Sequence, residues 1–300
     1  MEKINIIVVG YGNIGKYAVE AVLESPDMNL LGIVSNSLSS SGIKEKDGIR
    51  VAADAAEFET KPDVAILCSP TRSIPEIAPL YLSKGIHTVD SYDAHDSIWE
   101  LKMKLSPVAE ANNAVSIISS GWDPGSDSVV RALLLACAPN GVTYTNFGPG
   151  MSMGHSVAVK AIDGVSDALS VTIPLGTGIH RRAVYISLEQ GADFTKISEA
   201  IKKDPYFKND ETHIFEVDDI SKLLDVGHGV SMSRKGVSGK THNQMFEFNM
   251  RINNPALTSQ IMISCARACM RQKPGAYTMI EVPVANLLPG SLEENVRKLV

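Results

Sequence analysis

The sequence lacks a long apolar run, a long basic run and a closely paired cysteine motif. No stretch of its 300 residues approaches the roughly 20 consecutive apolar residues that a membrane-spanning helix needs. The formal net charge of −6 argues against nucleic acid or an anionic membrane as the main partner. The four cysteines show no C-x-x-C spacing, which favours reduced core thiols over a disulfide or metal set. We therefore expect a soluble, cytoplasmic protein that binds a small molecule and no metal.

The N-terminal segment has the pattern of a dinucleotide-binding turn. Ile4 to Val9 is a short β-branched apolar run, typical of a strand buried in a parallel sheet. Gly10, Gly12 and Gly15 follow with G-x-G-x-x-G spacing, and apolar residues recur at helical intervals from Asn13 to Glu24. In this strand, turn and helix context the motif binds a pyrophosphate at the helix N-terminus. A dinucleotide is the favoured ligand, and a nucleotide-like methyl donor is the alternative.

The end of the second predicted strand bears on which nicotinamide cofactor fits. Met28 to Val34 is followed by Ser35 to Ser37, where an NAD-preferring site places Asp or Glu for the ribose hydroxyls. With no carboxylate there a 2′-phosphate is permitted, but no arginine stands there to bind one. Lys44 or Lys46 in the following polar loop is either a phosphate ligand or a solvated residue. The sequence thus permits NADP and leaves NAD open.

Further buried strands alternate with helices in the first part of the chain. Strands are predicted at 63–68, 87–90 and 115–119, which gives a doubly wound α/β Rossmann domain over residues 1–120. In such a sheet the ligand lies at the carboxyl ends of the strands. The polar loops 69–73 and 91–95 are therefore expected to line the cofactor.

The second half of the chain has a different pattern. Strand-like stretches crowd together from residue 142 to residue 252, with only short helical segments between them. This predicts an α+β domain over 121–254 with a mostly antiparallel sheet, suited to enclosing a substrate and to dimerisation. A long helix over 255–271 and a strand over 277–284 are predicted to return to the first domain, so that 255–300 packs back on it.

Two loops carry polar residues in positions suited to chemistry. Asp123 lies at the rim where the nicotinamide is expected, but it is also placed to cap a helix whose first residue is Pro124. The segment from Gly148 to Ser156 combines three glycines with serine and histidine. Such a loop either approaches a ligand closely or is a turn that leads to the N-cap of a helix after Ser156. Both interpretations stay open at this point.

Several longer motifs together indicate a family. They are V-V-G-Y-G-N-I-G at 8–15, T-V-D-S-Y-D at 88–93, G-W-D-P-G at 121–125, F-G-P-G-M-S-M-G-H-S at 147–156, and the closing R-I-N-N-P-A and Q-K-P-G-A-Y-T-M-I-E. From end to end the chain resembles the meso-diaminopimelate dehydrogenase family, and most of all its shorter branch, whose members also aminate some 2-keto acids to D-amino acids. It departs from the family at Asn36 and Ser37, where relatives often carry arginines for the 2′-phosphate.

The resemblance implies an activity and a cofactor. The family carries out the reversible, NADP-dependent oxidative deamination of the D-centre of meso-2,6-diaminopimelate, in lysine biosynthesis. The products are ammonia and L-2-amino-6-oxoheptanedioate, which cyclises to tetrahydrodipicolinate. A homodimer is expected by the same resemblance.

The resemblance also implies the site residues. Asp93 and Asp123 are the catalytic pair that holds the D-amine, with Asp123 the acid or base if either residue acts as one, while Arg182 pairs with the distal carboxylate. The implied substrate-binding set is Trp122, Phe147, Met153, His155, Thr172, Arg182, His228 and Asn254. The cofactor-binding set is Gly10, Tyr11, Gly12, Asn13, Ile14, Gly15, Ser35, Asn36, Ser37, Cys68, Ser69, Pro70, Thr71, Ser91 and Tyr92.

Considered singly, members of the distal set have structural alternatives. Thr172 suits an ordinary strand residue, Arg182 a solvated strand end and His228 a turn residue between two glycines. Asn254 suits a helix cap, and His155 either touches the substrate or only holds its loop.

Two other functions remain open from the sequence. One is a dehydrogenase for a broader set of D-amino acids or for other diamino acids. The other is a nicotinamide-binding regulator without turnover, because a fold does not by itself settle function. The presence of Asp93, Asp123 and Arg182 argues against the regulator, which has no need for a two-ended amino acid site.

Overall fold

The computed structural model describes residues 3–224 and 227–300. The chain divides into two compact units, Met1–Ala132 with Pro255–Val300, and Leu133–Asn254. This division falls later than the predicted boundary after residue 120, because the start of the following helix packs against the first unit, where Val129 contacts the core. The C-terminal segment belongs to the first unit.

The described residues form fifteen strands and nine α-helices. In chain order they are β1 (Ile4–Val9), α1 (Asn13–Leu23), β2 (Met28–Val34), α2 (Asn36–Ser40), β3 (Glu45–Lys46), β4 (Ile49–Ala52), β5 (Val64–Leu67), α3 (Ile74–Leu82), β6 (His87–Asp90), α4 (Ile98–Ala111), β7 (Val115–Ile117), α5 (Ser126–Cys137), β8 (Asn140–Phe147), β9 (Gly150–Met151), α6 (Met153–Lys160), β10 (Val165–Gly176), β11 (Ile179–Leu188), α7 (Phe194–Lys203), β12 (Glu211–Glu216), β13 (Gly227–Ser238), β14 (Thr241–Asn253), α8 (Asn254–Cys269), β15 (Gly275–Tyr277) and α9 (Leu292–Leu299).

The first unit is built on an eight-stranded sheet of order β15-β7-β6-β5-β1-β2-β4-β3. All its strand pairs are parallel except β3 with β4. Along β1, Ile6 and Val8 face one apolar core while Ile7 and Val9 face another, which explains the unbroken apolar run. The predicted doubly wound α/β fold is confirmed, and the strand order reverses beside β1, where such sheets bind ligands.

The C-terminal segment completes this sheet with a shorter strand than predicted. The strand predicted over 277–284 is wrong beyond Tyr277, because Thr278 and Glu281 form a capping box that starts a 3₁₀ turn over Met279–Glu281. β15 pairs in parallel with β7, so the last strand lies at the edge of the sheet. α8 buries Met262 and Ile263 in the core of the same unit.

The second unit contains two sheets. One has the order β12-β11-β10-β9 and the other the order β14-β13-β8, with every pair antiparallel except β11 with β12. α6 and α7 pack on the first sheet around a core that includes Val159, Ile186 and Ile201. A second domain of α+β type with mostly antiparallel pairing was expected, and this sheet domain is what the structure has.

The cysteines match the expectation only in part. Cys265 and Cys269 are buried thiols on α8, as expected for core residues. Cys137 is exposed in the last turn of α5, so its prediction as a core residue is wrong. Within the described ranges, no helix is long and apolar enough to cross a bilayer.

Candidate active site

The glycine turn after β1 has the geometry that a bound pyrophosphate requires. Gly10 has φ of +93°, and a Cβ there would lie 2.6 Å from the carbonyl oxygen of Cys68. A Cβ on Gly15 would lie 2.2 Å from the carbonyl oxygen of Gly10, so close packing of α1 excludes a side chain. Gly12, by contrast, faces open space and precedes α1 with no side-chain cap. The first N–H groups of α1 are thus available to an anion, and these residues fit a dinucleotide.

A cleft of about 360 Å³ lies beside this turn, where the adenosine end of a dinucleotide would bind. It is lined by Ser35, Asn36 and Ser37 and also by Lys84. Lys84 Nζ lies 2.9 Å from both carboxylate oxygens of Asp54, which lines the same cleft. Lys84 was not predicted, because it follows α3 rather than the loop after β2.

The two lysines considered from the sequence lie elsewhere. Neither Lys44 nor Lys46 lines the cleft, so their interpretation as phosphate ligands gains no support. Lys46 lies in β3 with Nζ 3.9 Å from an oxygen of Asp47. The same carboxylate accepts a 2.7 Å hydrogen bond from the Tyr11 hydroxyl.

The loop after β6 carries Asp93, and the segment after β7 carries Asp123. Asp93 Oδ1 accepts a 2.5 Å hydrogen bond from Thr71 Oγ1, which lies on the loop after β5. Asp90, fully buried at the end of β6, accepts from the backbone N–H groups of Tyr92 at 2.9 Å and Ser119 at 3.1 Å. Burial raises the pKa of Asp90 to about 6. Asp90 thus joins the two segments that carry the candidate catalytic residues.

Asp123 is not the N-cap of a helix, and that alternative is wrong. α5 begins at Ser126, because Ser126 N–H donates to the Gly121 carbonyl at 3.1 Å and Asp127 N–H donates to the Trp122 carbonyl at 3.0 Å. These two bonds close a tight loop ahead of the helix. Gly125 is required there, since a Cβ on it would lie 1.9 Å from the Gly121 carbonyl oxygen.

Asp123 shares a hydrogen bond with a second buried carboxyl, Asp127, which was not predicted. Burial raises the pKa of Asp123, and the charge of Asp93 raises it further. Burial and the neighbouring Asp123 raise the pKa of Asp127, which also forms an ion pair with Arg131 at 2.9 Å and accepts a 3.3 Å hydrogen bond from Ser128 Oγ. Trp122 beside them is buried. The first unit therefore holds carboxylates with raised proton affinity at the rim of its parallel sheet.

The second unit holds a polar cluster around Arg182. Arg182 on β11 is the register partner of Thr172 on β10, and its Nη1 donates to Thr172 Oγ1. Its Nε donates to Asp210 Oδ2 at 2.6 Å, and only 14% of its side chain is exposed. The alternative of a solvated strand end is wrong for Arg182. It describes Arg181 better, which forms a half-exposed ion pair with Glu211.

Three histidines surround this arginine as neutral rings. Burial, with the Arg182 charge second, lowers the pKa of His155 and of His228 to about 4. The same causes lower the pKa of His180, which accepts a 2.7 Å hydrogen bond from Phe147 N–H and was not predicted. His228 lies buried within β13, so its interpretation as a turn residue is wrong.

His155 uses both ring nitrogens on its own unit. Nδ1 lies 2.7 Å from Ser152 Oγ and Nε2 lies 3.0 Å from the Tyr206 carbonyl oxygen. Its ring also packs edge-on against Phe207. This geometry favours the loop-holding alternative for His155.

The helix bounds correct two further expectations. α6 begins at Met153, so the N-cap predicted after Ser156 is wrong; Ser156 lies inside the helix and its Oγ donates to the Ser152 carbonyl. Asn254 is the first residue of α8. A second cleft of about 300 Å³ in this unit is lined by Gly148, Pro149, Gly227, His228, Gly229, Arg251 and Ile252.

Two family models match the chain. Residues 4–90 match the oxidoreductase family with an NAD-binding Rossmann fold. Residues 121–179 match the diaminopimelic acid dehydrogenase C-terminal domain.

Relatives extend the match over the whole chain. The meso-diaminopimelate D-dehydrogenase of Bacteroides fragilis is 57% identical over 300 residues and covers 100% of both chains. That of Corynebacterium glutamicum is 30% identical, with 99% of each chain covered. The solved C. glutamicum DAP dehydrogenase in complex with DAP superimposes with a TM-score of 0.91 at 29% identity over 100% of both chains. An engineered D-amino acid dehydrogenase bound to NADP⁺ gives 0.88 at 28% identity over 99% of this chain and 100% of its own. The chain belongs to the meso-diaminopimelate dehydrogenase family of oxidoreductases.

Proposed function

We propose that this chain catalyses the reversible oxidative deamination of the D-centre of meso-diaminopimelate with a nicotinamide cofactor, in lysine biosynthesis. The observation that carries the proposal is a buried carboxyl group, Asp123, at the rim of the parallel sheet that also carries the glycine turn. The charge of Asp93 is close enough to raise the pKa of Asp123. Paired carboxylates suit a cationic amine, which must be held and then deprotonated. The second unit supplies a buried arginine, suited to a carboxylate.

The aspartates have separate roles in the proposed mechanism. Asp93, fixed by its hydrogen bond from Thr71, accepts from the D-ammonium and orients it. Asp123, whose pKa is raised, takes a proton from the ammonium, since a base works best when its pKa lies near the working pH. A bound nicotinamide supplies the acceptor for the hydride from Cα. Loss of the hydride leaves an imine at the D-centre of the substrate. Asp123 then relays protons while water adds to this imine, and the adduct breaks down to ammonia and the carbonyl product.

The remaining implied residues shape the two ends of the substrate. The family resemblance assigns Trp122 and Met153 to the D-centre as its apolar residues. Arg182 and Thr172 bind the distal carboxylate, and the neutral rings of His228 and Phe147 line that end without adding charge. Asn254 contributes an amide there.

NADP is the proposed cofactor, although the absence of arginine after β2 sets this chain apart from many relatives. The support is the lack of a carboxylate in Ser35 to Ser37 and the presence of Lys84 in the same cleft. A homodimer is also proposed, because the three-stranded sheet exposes Val142, Tyr144 and Met245. Both of these, and a cytoplasmic location, remain predictions.

The Asp123→Asn variant tests the proposal. We expect turnover of meso-diaminopimelate to fall by about 100-fold or more, the range of a lost acid–base group, while the dissociation constant of NADP⁺ stays unchanged. The matched control is Asp96→Asn, which replaces an exposed carboxylate on the same rim. Unchanged turnover in the Asp123 variant would contradict the assigned role. Wild-type protein that binds the cofactor but turns over no amino acid would favour the regulator.

A further inference from the structure

Within the described part of the chain, the ion pair between Arg182 and Asp210 leaves one guanidinium nitrogen and one carboxylate oxygen without a hydrogen bond. Arg182 donates through Nε to Asp210 Oδ2 at 2.6 Å and through Nη1 to Thr172. Among residues 3–224 and 227–300, Arg182 Nη2 and Asp210 Oδ1 make no hydrogen bond. The two side chains are 14% and 25% exposed, so both groups are shielded and yet reachable by a ligand.

Among the described residues of the cluster, no other charged group competes for these two atoms. The surrounding His155, His180 and His228 are neutral at pH 7, because burial and the arginine lower the pKa of each ring. The next carboxylate, Glu211, is already held by Arg181 and His213. The pair therefore presents one positive and one negative group side by side within neutral surroundings.

An α-amino acid head group has the complementary arrangement. Its carboxylate and its ammonium are carried by one carbon atom, so they can contact adjacent groups of opposite charge at the same time. A carboxylate without the amine would satisfy Arg182 but would leave Asp210 Oδ1 without a partner. A partly buried charged acceptor that loses its partner carries a large penalty.

We propose that Asp210 is a specificity residue that accepts a hydrogen bond from the distal ammonium of the substrate while Arg182 binds the distal carboxylate. This inference rests on the proposed function and deepens it, because Asp210 lies outside the residue set that the family resemblance implies. It assigns the preference for an intact amino acid at the far end of the substrate to one carboxylate.

The test compares two substrates that differ only in the distal amine. kcat/KM is measured for meso-diaminopimelate and for D-2-aminopimelate, in the wild type and in Asp210→Asn. We expect the wild type to prefer meso-diaminopimelate by about tenfold or more, the range for a charge-assisted hydrogen bond. In the variant this ratio should fall towards one. Any change in the orientation of Arg182 affects both substrates alike and cancels in the ratio.

Controls separate specificity from structure. Glu211→Gln removes the neighbouring exposed carboxylate and should keep the wild-type ratio. Asp210→Glu keeps the charge and should retain part of the preference; it also replaces Asp210→Asn if thermal melting shows that variant to be unfolded. An unchanged ratio, or equal losses for both substrates, would overturn the inference. A wild type that turns over neither substrate would instead refute the proposed function.

Discussion

The Asp123–Asp127 pair makes a sharp prediction about stability as a function of pH. Asp127 is fully buried, hydrogen-bonded to Asp123 and paired with Arg131. Asp127→Asn is the substitution that isolates the titration of this residue. The amide has the shape of a carboxylic acid, and its N–H group can donate a hydrogen bond to Asp123. The variant differs from the wild type mainly in that position 127 no longer titrates.

The magnitude follows from proton counting. Burial raises the pKa of both carboxyls above the value of about 3.9 that they have in an unfolded chain. Above that value the unfolded chain has lost a proton that the folded pair still holds. The stabilisation is fully present below about pH 4 and is lost as the pH rises to the raised pKa, by about 1.4 kcal/mol per pH unit for one proton. In Asp127→Asn the part of this slope that comes from Asp127 should be absent, while burial keeps the pKa of Asp123 raised.

Urea unfolding of both proteins at intervals between pH 5 and pH 8 measures the effect. The free energy of unfolding of the wild type should fall relative to that of the variant as the pH rises, and then level off. The ion pair with Arg131 requires ionised Asp127 and lowers the pKa of that carboxyl, so its loss is already contained in the Asp127 part of the slope. Asp163→Asn, at an exposed site, should track the wild type. Parallel curves for wild type and Asp127→Asn would refute a shared buried proton.

Three further substitutions test other parts of the account. Arg267→Ala should lower the free energy of unfolding at pH 7 by about 2 kcal/mol, since buried Arg267 donates to one-third-exposed Asp27 at 2.6 and 2.8 Å. Hydrogen bonding to Arg267 lowers the pKa of Asp27, so the loss should shrink as the pH falls below about 4. Gly12→Ala should melt like the wild type, because a Cβ on residue 12 meets only open space. It should weaken NADP⁺ binding in a fluorescence titration, because the pyrophosphate approaches the backbone at this glycine. A loss of stability would contradict this prediction. Lys84→Ala should raise the dissociation constant of NADP⁺ about tenfold and leave that of NAD⁺ unchanged. The control Lys44→Ala should change neither dissociation constant. Equal effects of Lys84→Ala on both cofactors would contradict a contact between Lys84 and the 2′-phosphate.

The first unit was well predicted because its signals are local in the sequence. The buried strands appear as short β-branched runs, and Gly15 is required by a contact with Gly10 in the same turn. The order of strands and helices then determines which loops share the rim of a parallel sheet. That rule predicts Asp93 and Asp123 at the same edge of the sheet.

Long-range partners were not predictable in the same way. Asp210 meets Arg182 across 28 residues of sequence, and His180 meets Phe147 across 33. Neither pair belongs to a spaced motif. Lys84 reaches the cofactor cleft from the end of α3, whereas the sequence pattern points only to the loop after β2 for a phosphate ligand. The start of α5 was misplaced because hydrogen bonds to Gly121 and Trp122, not Pro124, determine it.

Cofactor reduction with defined stereoisomers tests the central claim most directly. Wild-type protein is given NADP⁺ or NAD⁺ with meso-, LL- or DD-diaminopimelate, and absorbance of the reduced nicotinamide is followed. The account predicts rapid reduction of NADP⁺ with the meso isomer and little with the LL isomer, which has no D-centre. Faster turnover with NAD⁺ would leave the chemistry intact and contradict the cofactor assignment. No reduction with any isomer, from folded protein that binds nicotinamide, would contradict the proposed function.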